Sequence, residues 1–219
     1  MTPEAEKVDV LICGSGSAGL CAAVWLARFG INYKILERRD GPLKVGQADG
    51  VQTRTVEIFD SFGIAEDLLK EAYHVLEVAF WSPGPDTGGI RRTRYAADKE
   101  TAISHQPHVI LNQARLNALM MGTLGPAPPV EYQCEVKGLE VDSAAAKDPD
   151  AYAVRVTTVH DGKEKVYQAK YVLVGILVAP IVSPITYPNT PRAVTARTVS
   201  SGSRSASRWS ATAPTPSGA

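Results

Sequence analysis

Cysteine is scarce in this chain of 219 residues, and Cys13, Cys21 and Cys134 are too few and too scattered for a disulfide framework or a zinc site. A reducing compartment is the simpler reading. Net charge is also missing: 23 Lys and Arg face 23 Asp and Glu, so nothing in the total favours nucleic acid. No long uninterrupted apolar run suggests a membrane span. Met1 to Lys7 is acidic and lacks the basic start of a secretory signal, which points to a cytoplasmic protein. His74, His105, His108 and His160 have no ligand-like spacing and read as structural or surface residues, with no metal site expected. Trp25 and Trp81 read as core. What is present is a hydrophobic content of 44%, enough for a real core.

The balanced total hides an asymmetry. Residues 176–219 contain four Arg and no Lys, Asp or Glu, so residues 1–175 carry a net charge of 0 − 4 = −4. Of those last 44 residues, 20 are Ser, Thr or Pro. Such a composition buries too little apolar area to offset ordering entropy, and a disordered tail is expected.

Ahead of the tail the pattern is α/β. Val8 to Cys13 is a short apolar run ending at glycine, as a buried parallel strand would. Ala18 to Phe29 reads as a helix, with Leu20, Ala23, Val24 and Ala27 on one side and Gly30 as its stop. Asn32 to Leu36 is a second strand, completing a βαβ unit. Residues 40–52 read as a loop. Helices are predicted over 53–62, where Val56, Phe59 and Phe62 share a face, and over 65–72 and 112–123. Residues 76–81, 109–111, 130–141, 152–160 and 165–174 are strand-like, with Asp161-Gly162 as a hairpin turn.

The chemistry lies in Gly14-Ser15-Gly16-Ser17-Ala18-Gly19, a G-x-G-x-x-G that follows a strand and opens a helix. Gly14 permits the tight turn, Gly16 lets backbone approach a pyrophosphate, and Gly19 lets helix and strand pack closely. The helix N-terminus offers N–H groups and a positive dipole end to phosphates. Glu37 ends the second strand 18 residues after Gly19, where a carboxylate accepts hydrogen bonds from an adenosine ribose. A carboxylate there favours FAD or NAD over NADP, and the motif alone does not choose between those two. Arg38 and Arg39 weaken the argument against NADP.

The segment Gly46-Gln47-Ala48-Asp49-Gly50-Val51-Gln52-Thr53-Arg54-Thr55-Val56-Glu57 resembles a loop of the class A FAD-dependent aromatic hydroxylases, most closely the phenol 2-monooxygenase branch. Leu36-Glu37-Arg38-Arg39, Ile90-Arg91-Arg92-Thr93, Leu111-Asn112-Gln113-Ala114-Arg115 and Lys170-Tyr171-Val172 match in the family's order, over residues 8–175. The resemblance implies a Rossmann-type FAD-binding βαβ unit with an incomplete β-sheet substrate domain. Residues 1–72 and 112–175 would belong to the FAD-binding domain, 73–111 to the substrate sheet and 176–219 to an aberrant tail. It also implies FAD held by Gly14, Gly16, Ser17, Ala18, Gly19, Glu37, Arg38, Gly46, Gln47, Arg54 and Gln113, with NADPH as co-substrate. Asp49 would be the carboxylate that helps deprotonate a small phenolic substrate, making the ring a better carbon nucleophile. A homodimer is implied for the full-length family. The bland reading of Arg54 is a surface pair with Glu57.

After Gly175 the family would continue with Cys-Asp-Gly, where this chain has Ile176-Leu177-Val178. One permitted codon choice for Trp209 to Ala219, read one base earlier, spells Met-Val-Gly-Asp-Ser-Ala-Asp-Ser-Val-Trp-Gly, which is family-like. The tail therefore reads as out-of-frame translation, preceded by a retained intron around Ile176 to Thr195, and the chain as a truncated, poorly active fragment with exposed sheet edges. Two alternatives stand beside this. One is an NAD-dependent oxidoreductase on the same βαβ unit; the other is a non-enzymatic nucleotide-binding protein whose basic tail recruits a partner.

Overall fold

The computed structural model describes residues 5–84, 88–98, 104–126 and 129–175; the expected disordered tail and its reading-frame signature lie outside them. At the centre of the main sheet runs β1 (Glu6–Cys13), with β2 (Tyr33–Leu36) and β11 (Lys163–Val174) parallel to it on either side. A short β8 (Val130–Glu131) extends the parallel part beyond β2. On the other flank β10 (Val154–His160) and β9 (Cys134–Val141) add antiparallel, giving the order β8-β2-β1-β11-β10-β9. The reversal between β10 and β11 runs through Asp161 and Gly162, at φ 49° and 73°, the left-handed pair that a two-residue hairpin needs.

The apolar run of β1 follows from burial on both faces. Ile12 and Ile35 face a cluster with Leu20, Ala23 and Val24 of α1 (Ser17–Arg28), Val56 and Phe59 of α2 (Thr53–Ser61), Leu68 of α3 (Ala65–Glu71) and Met120 of α4 (Gln113–Thr123). Leu11, Cys13 and Leu36 face a second cluster with Cys134, Val136, Val156, Tyr167 and Ala169. On α1, Leu20, Ala23 and Val24 are buried as expected, but Ala27 is exposed and Leu26 takes its place against the core.

The remaining strands are short or exposed. In a three-stranded sheet β7 (Val109–Ile110) lies between β3 (Gly50–Val51) and β4 (Tyr73–His74). The expected loop 40–52 therefore ends in a strand, because Gly50 and Val51 find ladder partners 58 or more residues away. A separate ribbon pairs β5 (Glu77–Pro83) with β6 (Ile90–Ala97), a strand that the sequence pattern did not reveal. Its alternation is hidden because Ile90, Arg91, Arg92, Arg94 and Tyr95 are all exposed. Trp81, read as core, stands 60% exposed on this ribbon, and Trp25 is 38% exposed between Phe29 and Phe62. The expected strand 130–141 is split by Gln133, at φ 55°. Among the described residues no helix is long and apolar enough to cross a membrane.

An ionic network closes the second cluster. Glu131 accepts from Lys165 at 3.0 Å, from the Tyr167 hydroxyl at 2.5 Å and from Lys34 at 3.4 Å, and pairs with His160 at 2.9 Å. Glu6 bonds Lys34 and lies 3.1 Å from Lys165. Burial alone would raise the Glu131 carboxyl, but the Tyr167 and Lys165 hydrogen bonds and both lysine charges outweigh it and hold the group at about 2. Glu131, Cys134 and His160 have potential ligand atoms within 4.8 Å of one another, a cluster that the spacing of histidines did not suggest. It suits a cation poorly: two lysines already hold the carboxylate, and burial pushes the Cys134 thiol up.

A carboxyl depressed by its folded partners stabilises above its unfolded pKa, near 4.5, and that stability fades as the pH falls toward 2. Glu131→Gln should therefore cost about 2 kcal/mol at pH 7, since it strands two partly buried lysines. The deficit should shrink toward zero as the pH drops from 4.5 to 2, as read by urea denaturation across that range.

Candidate nucleotide-binding site

The parallel register of β1 and β2 brings their C-terminal ends together, Cys13 beside Leu36. The chain leaves β1 in a turn begun by Gly14, whose N–H donates to Leu36 O at 2.8 Å and whose φ of 104° excludes a side chain. Gly19 sits where helix meets strand: a Cβ there would lie 2.1 Å from Gly14 O. Gly16 is different. Its φ of −75° suits any residue, and a Cβ would meet nothing nearer than Gly175 O at 3.9 Å. Folding does not require glycine at position 16, so its bareness leaves room for something that approaches the α1 N-terminus. Gly175, just past β11, seals the other side by donating to Cys13 O at 2.9 Å.

Glu37 closes this turn. It is only 4% exposed, and its Oε2 accepts from both Ser15 N–H and Ser15 Oγ–H at 2.8 Å and from Arg39 Nη2 at 2.9 Å. Oε1 accepts from Arg39 N–H at 3.0 Å. Burial pushes the carboxyl up, yet the Arg39 and Ser15 hydrogen bonds overcome that and hold it at about 2, ionised at neutral pH. Arg38, the basic neighbour expected here, is exposed; Arg39 holds the carboxylate, because two residues further on returns the chain to the same side.

A polar relay joins the turn to the 46–51 loop. Gln47 N–H donates to Gln113 Oε1 at 3.2 Å, Gln113 Nε2 to Ser17 Oγ at 3.1 Å, and Ser17 Oγ–H to Asn117 Oδ1 at 2.7 Å. Gln113 and Asn117 are four apart on α4 and so share the face toward α1. Asn112 caps α4 by accepting from Ala114 N–H at 2.9 Å, and its amide group lies against Gly46, where a Cβ would come within 2.6 Å of Nδ2.

The structure thus gathers Gly14, Gly16, Ser17, Gly19, Glu37, Gly46, Gln47 and Gln113 into one connected constellation. Ala18 is exposed on the first turn of α1. Asp49 is exposed, its backbone carbonyl accepting from Leu111 N–H at 2.8 Å beside the β3–β7 pair. Arg54 is 83% exposed and pairs with Glu57 at 2.9 Å along α2, not with the glycine turn. Ser15, Arg39, Asn112 and Asn117 were not among the binding residues expected from sequence, although Arg39 was noted beside Glu37 and Ser15 and Asn112 lie within the matching motifs. Ser15 fills a variable slot of the motif, and the one sequence signal that could have found Asn117 is its i, i+4 spacing from Gln113.

A family described as FAD binding domain matches residues 7–175. The FAD-dependent monooxygenase terD of Aspergillus terreus is 52% identical over 172 residues, 77% of this chain and 28% of that protein. The 3-hydroxybenzoate 4-monooxygenase of Comamonas testosteroni is 39% identical over 174 residues, 77% of this chain and 27% of that protein. Among solved structures, p-nitrophenol 4-monooxygenase PnpA from Pseudomonas putida DLL-E4 shares the fold, with a TM-score of 0.64 and 21% identity over 77% of this chain and 41% of that one. This chain therefore spans 28% and 27% of the lengths of the two curated relatives.

The glycines separate folding from binding. Gly19→Ala should lower the melting temperature by several degrees, because its Cβ meets backbone at 2.1 Å. Gly16→Val should leave the ligand-free melting temperature within about 2 °C yet weaken dinucleotide binding about tenfold or more, as measured by thermal denaturation and titration calorimetry.

Proposed function

The chain belongs to the FAD-binding domain family of flavin-dependent aromatic monooxygenases, and from that premise we propose that residues 5–175 grip the ADP half of FAD in an enzyme that hydroxylates a small phenol with NADPH and dioxygen. One observation carries the reading. The carboxylate ending β2 is tied to the glycine turn through Ser15 at 2.8 Å, beside a helix N-terminus that Gly16 leaves open.

Each residue then has a task. The first amides of α1 and its positive dipole end take the diphosphate. Glu37 Oε1 has a lone pair beyond the one given to Arg39 N–H and accepts from a ribose hydroxyl. Being ionised and buried, it makes that hydrogen bond a charge-assisted one. Gln113 and Asn112 lie against the 46–51 loop beside the head of α1, which supports assigning that loop to the flavin side of the dinucleotide. Asp49, exposed on the loop, is the group we assign to accept the phenol proton. Bound flavin supplies the electron transfer and oxygen activation, while the chain binds, orients and removes a proton. The three unpaired cysteines suit the reducing cytoplasm in which NADPH is available.

Titration with FAD and with NAD tests the cofactor assignment. FAD should bind in preference, and Glu37→Ala should weaken it about tenfold or more; a preference for NAD would overturn the reading. Isotope-labelled dioxygen tests the chemistry: a polypeptide that carries this chain and extends to its relatives' length should place one labelled oxygen atom on a phenol, and Asp49→Asn should slow this about a hundredfold.

A further inference from the structure

Beside the glycine turn lies a pocket of about 180 Å³, a slot whose back wall is one face of α4. Ala114, Asn117, Ala118 and Met121 recur at helical spacing along that wall. Pro42, Leu43, Tyr132, Ser15 and Leu20 complete the lining. Its lining is mostly apolar and it adjoins Ser15, the residue that holds Glu37. An apolar slot with few polar groups suits a flat heteroaromatic ring whose sugar reaches a nearby carboxylate.

One polar residue of this lining carries an atom that is out of keeping with the rest of the described protein. Asn117 is 4% exposed, and its Nδ2 is the only buried side-chain nitrogen or oxygen without a hydrogen-bond partner among the described residues. Its Oδ1 is committed to the Ser17 hydroxyl at 2.7 Å. That hydroxyl also accepts from Gln113, so its single proton points to Asn117 and fixes which end of the amide is the donor. A buried amide N–H left unmatched is destabilising, because it has lost its water without gaining a partner. The relay that begins at Gln47 therefore ends in a buried unmatched donor on a residue that lines the slot.

We propose that Asn117 is a cofactor-binding residue whose Nδ2 donates to an acceptor atom of the adenosine moiety of the bound dinucleotide. This deepens the FAD reading above and rests on it. The contact also makes Asn117 a positioning residue, since the same amide holds Ser17 and, through Gln113, the backbone of the 46–51 loop. Filling the slot thus tightens the loop on the flavin side without any contact between adenosine and loop.

The test uses ADP as the adenosine probe and FMN, which lacks adenosine, as its counterpart. In the wild-type chain the side-chain amide resonance of Asn117 should move on addition of ADP and stay in place with FMN; a resonance unmoved by saturating ADP overturns the proposal. Asn117→Leu removes the donor, and Asn117→Asp keeps the acceptor for Ser17 while replacing the donor with a second oxygen. Both should bind ADP about tenfold more weakly, with Asn117→Asp the weaker at pH 7 and recovering as its carboxyl protonates. Equal ADP affinity in wild type and both variants overturns the proposal and leaves the FAD reading standing. A wild-type chain that binds neither FAD nor ADP overturns both.

Discussion

The contact between Glu37 and Ser15 is the constraint from which the rest of the site follows. Two parallel strands end side by side, and the chain must leave one of them through a turn with φ near 104° at Gly14. That turn would be a floppy connection without something to hold it. A carboxylate buried to 4% exposure, accepting both hydrogen bonds that Ser15 can donate, supplies the hold. It is costly to bury and is kept ionised only because Ser15 and Arg39 surround it. The charge is thus prearranged at the C-terminal edge of β2, beside the head of α1, where the proposed reading puts an adenosine ribose and a diphosphate.

A second polar system does different work. The Glu131 network ties β1, β2, β8, β10 and β11 together around Tyr167 on the face away from the helices. It shares with Glu37 the logic of a depressed carboxyl, but its partners are lysines and a phenol, and every oxygen is engaged inside the protein. Glu37 is buried as well, but its Oε1 accepts only from the Arg39 N–H while Oε2 takes Ser15 and Arg39. In the proposed reading, that difference is what leaves Glu37 a lone pair for a ligand while the Glu131 network stabilises the sheet.

The β5–β6 ribbon shows the opposite economy. Phe80, Trp81, Ile90 and Tyr95 stand in solvent, with Arg94 over the Phe80 ring and Arg92 over the Tyr95 ring. Guanidinium groups over ring faces blunt some of this apolar exposure. The ribbon pairs only with itself among the described residues.

What the sequence by itself determined was the βαβ unit, its glycine turn and the acidic residue that ends β2. These are local in origin: φ at Gly14, the missing Cβ at Gly19 and an apolar run buried on both faces each leave a mark within a few residues. The same holds for α2 with Val56 and Phe59, and for the Asp161-Gly162 reversal. Only the tertiary structure decided that Arg39 and not Arg38 braces Glu37, that Arg54 turns to Glu57, that Trp81 stays outside, and that Asn117 meets Ser17 across 100 residues. Those outcomes depend on which surfaces meet, and a side chain's partner across the fold is fixed by packing geometry that no short stretch of sequence encodes.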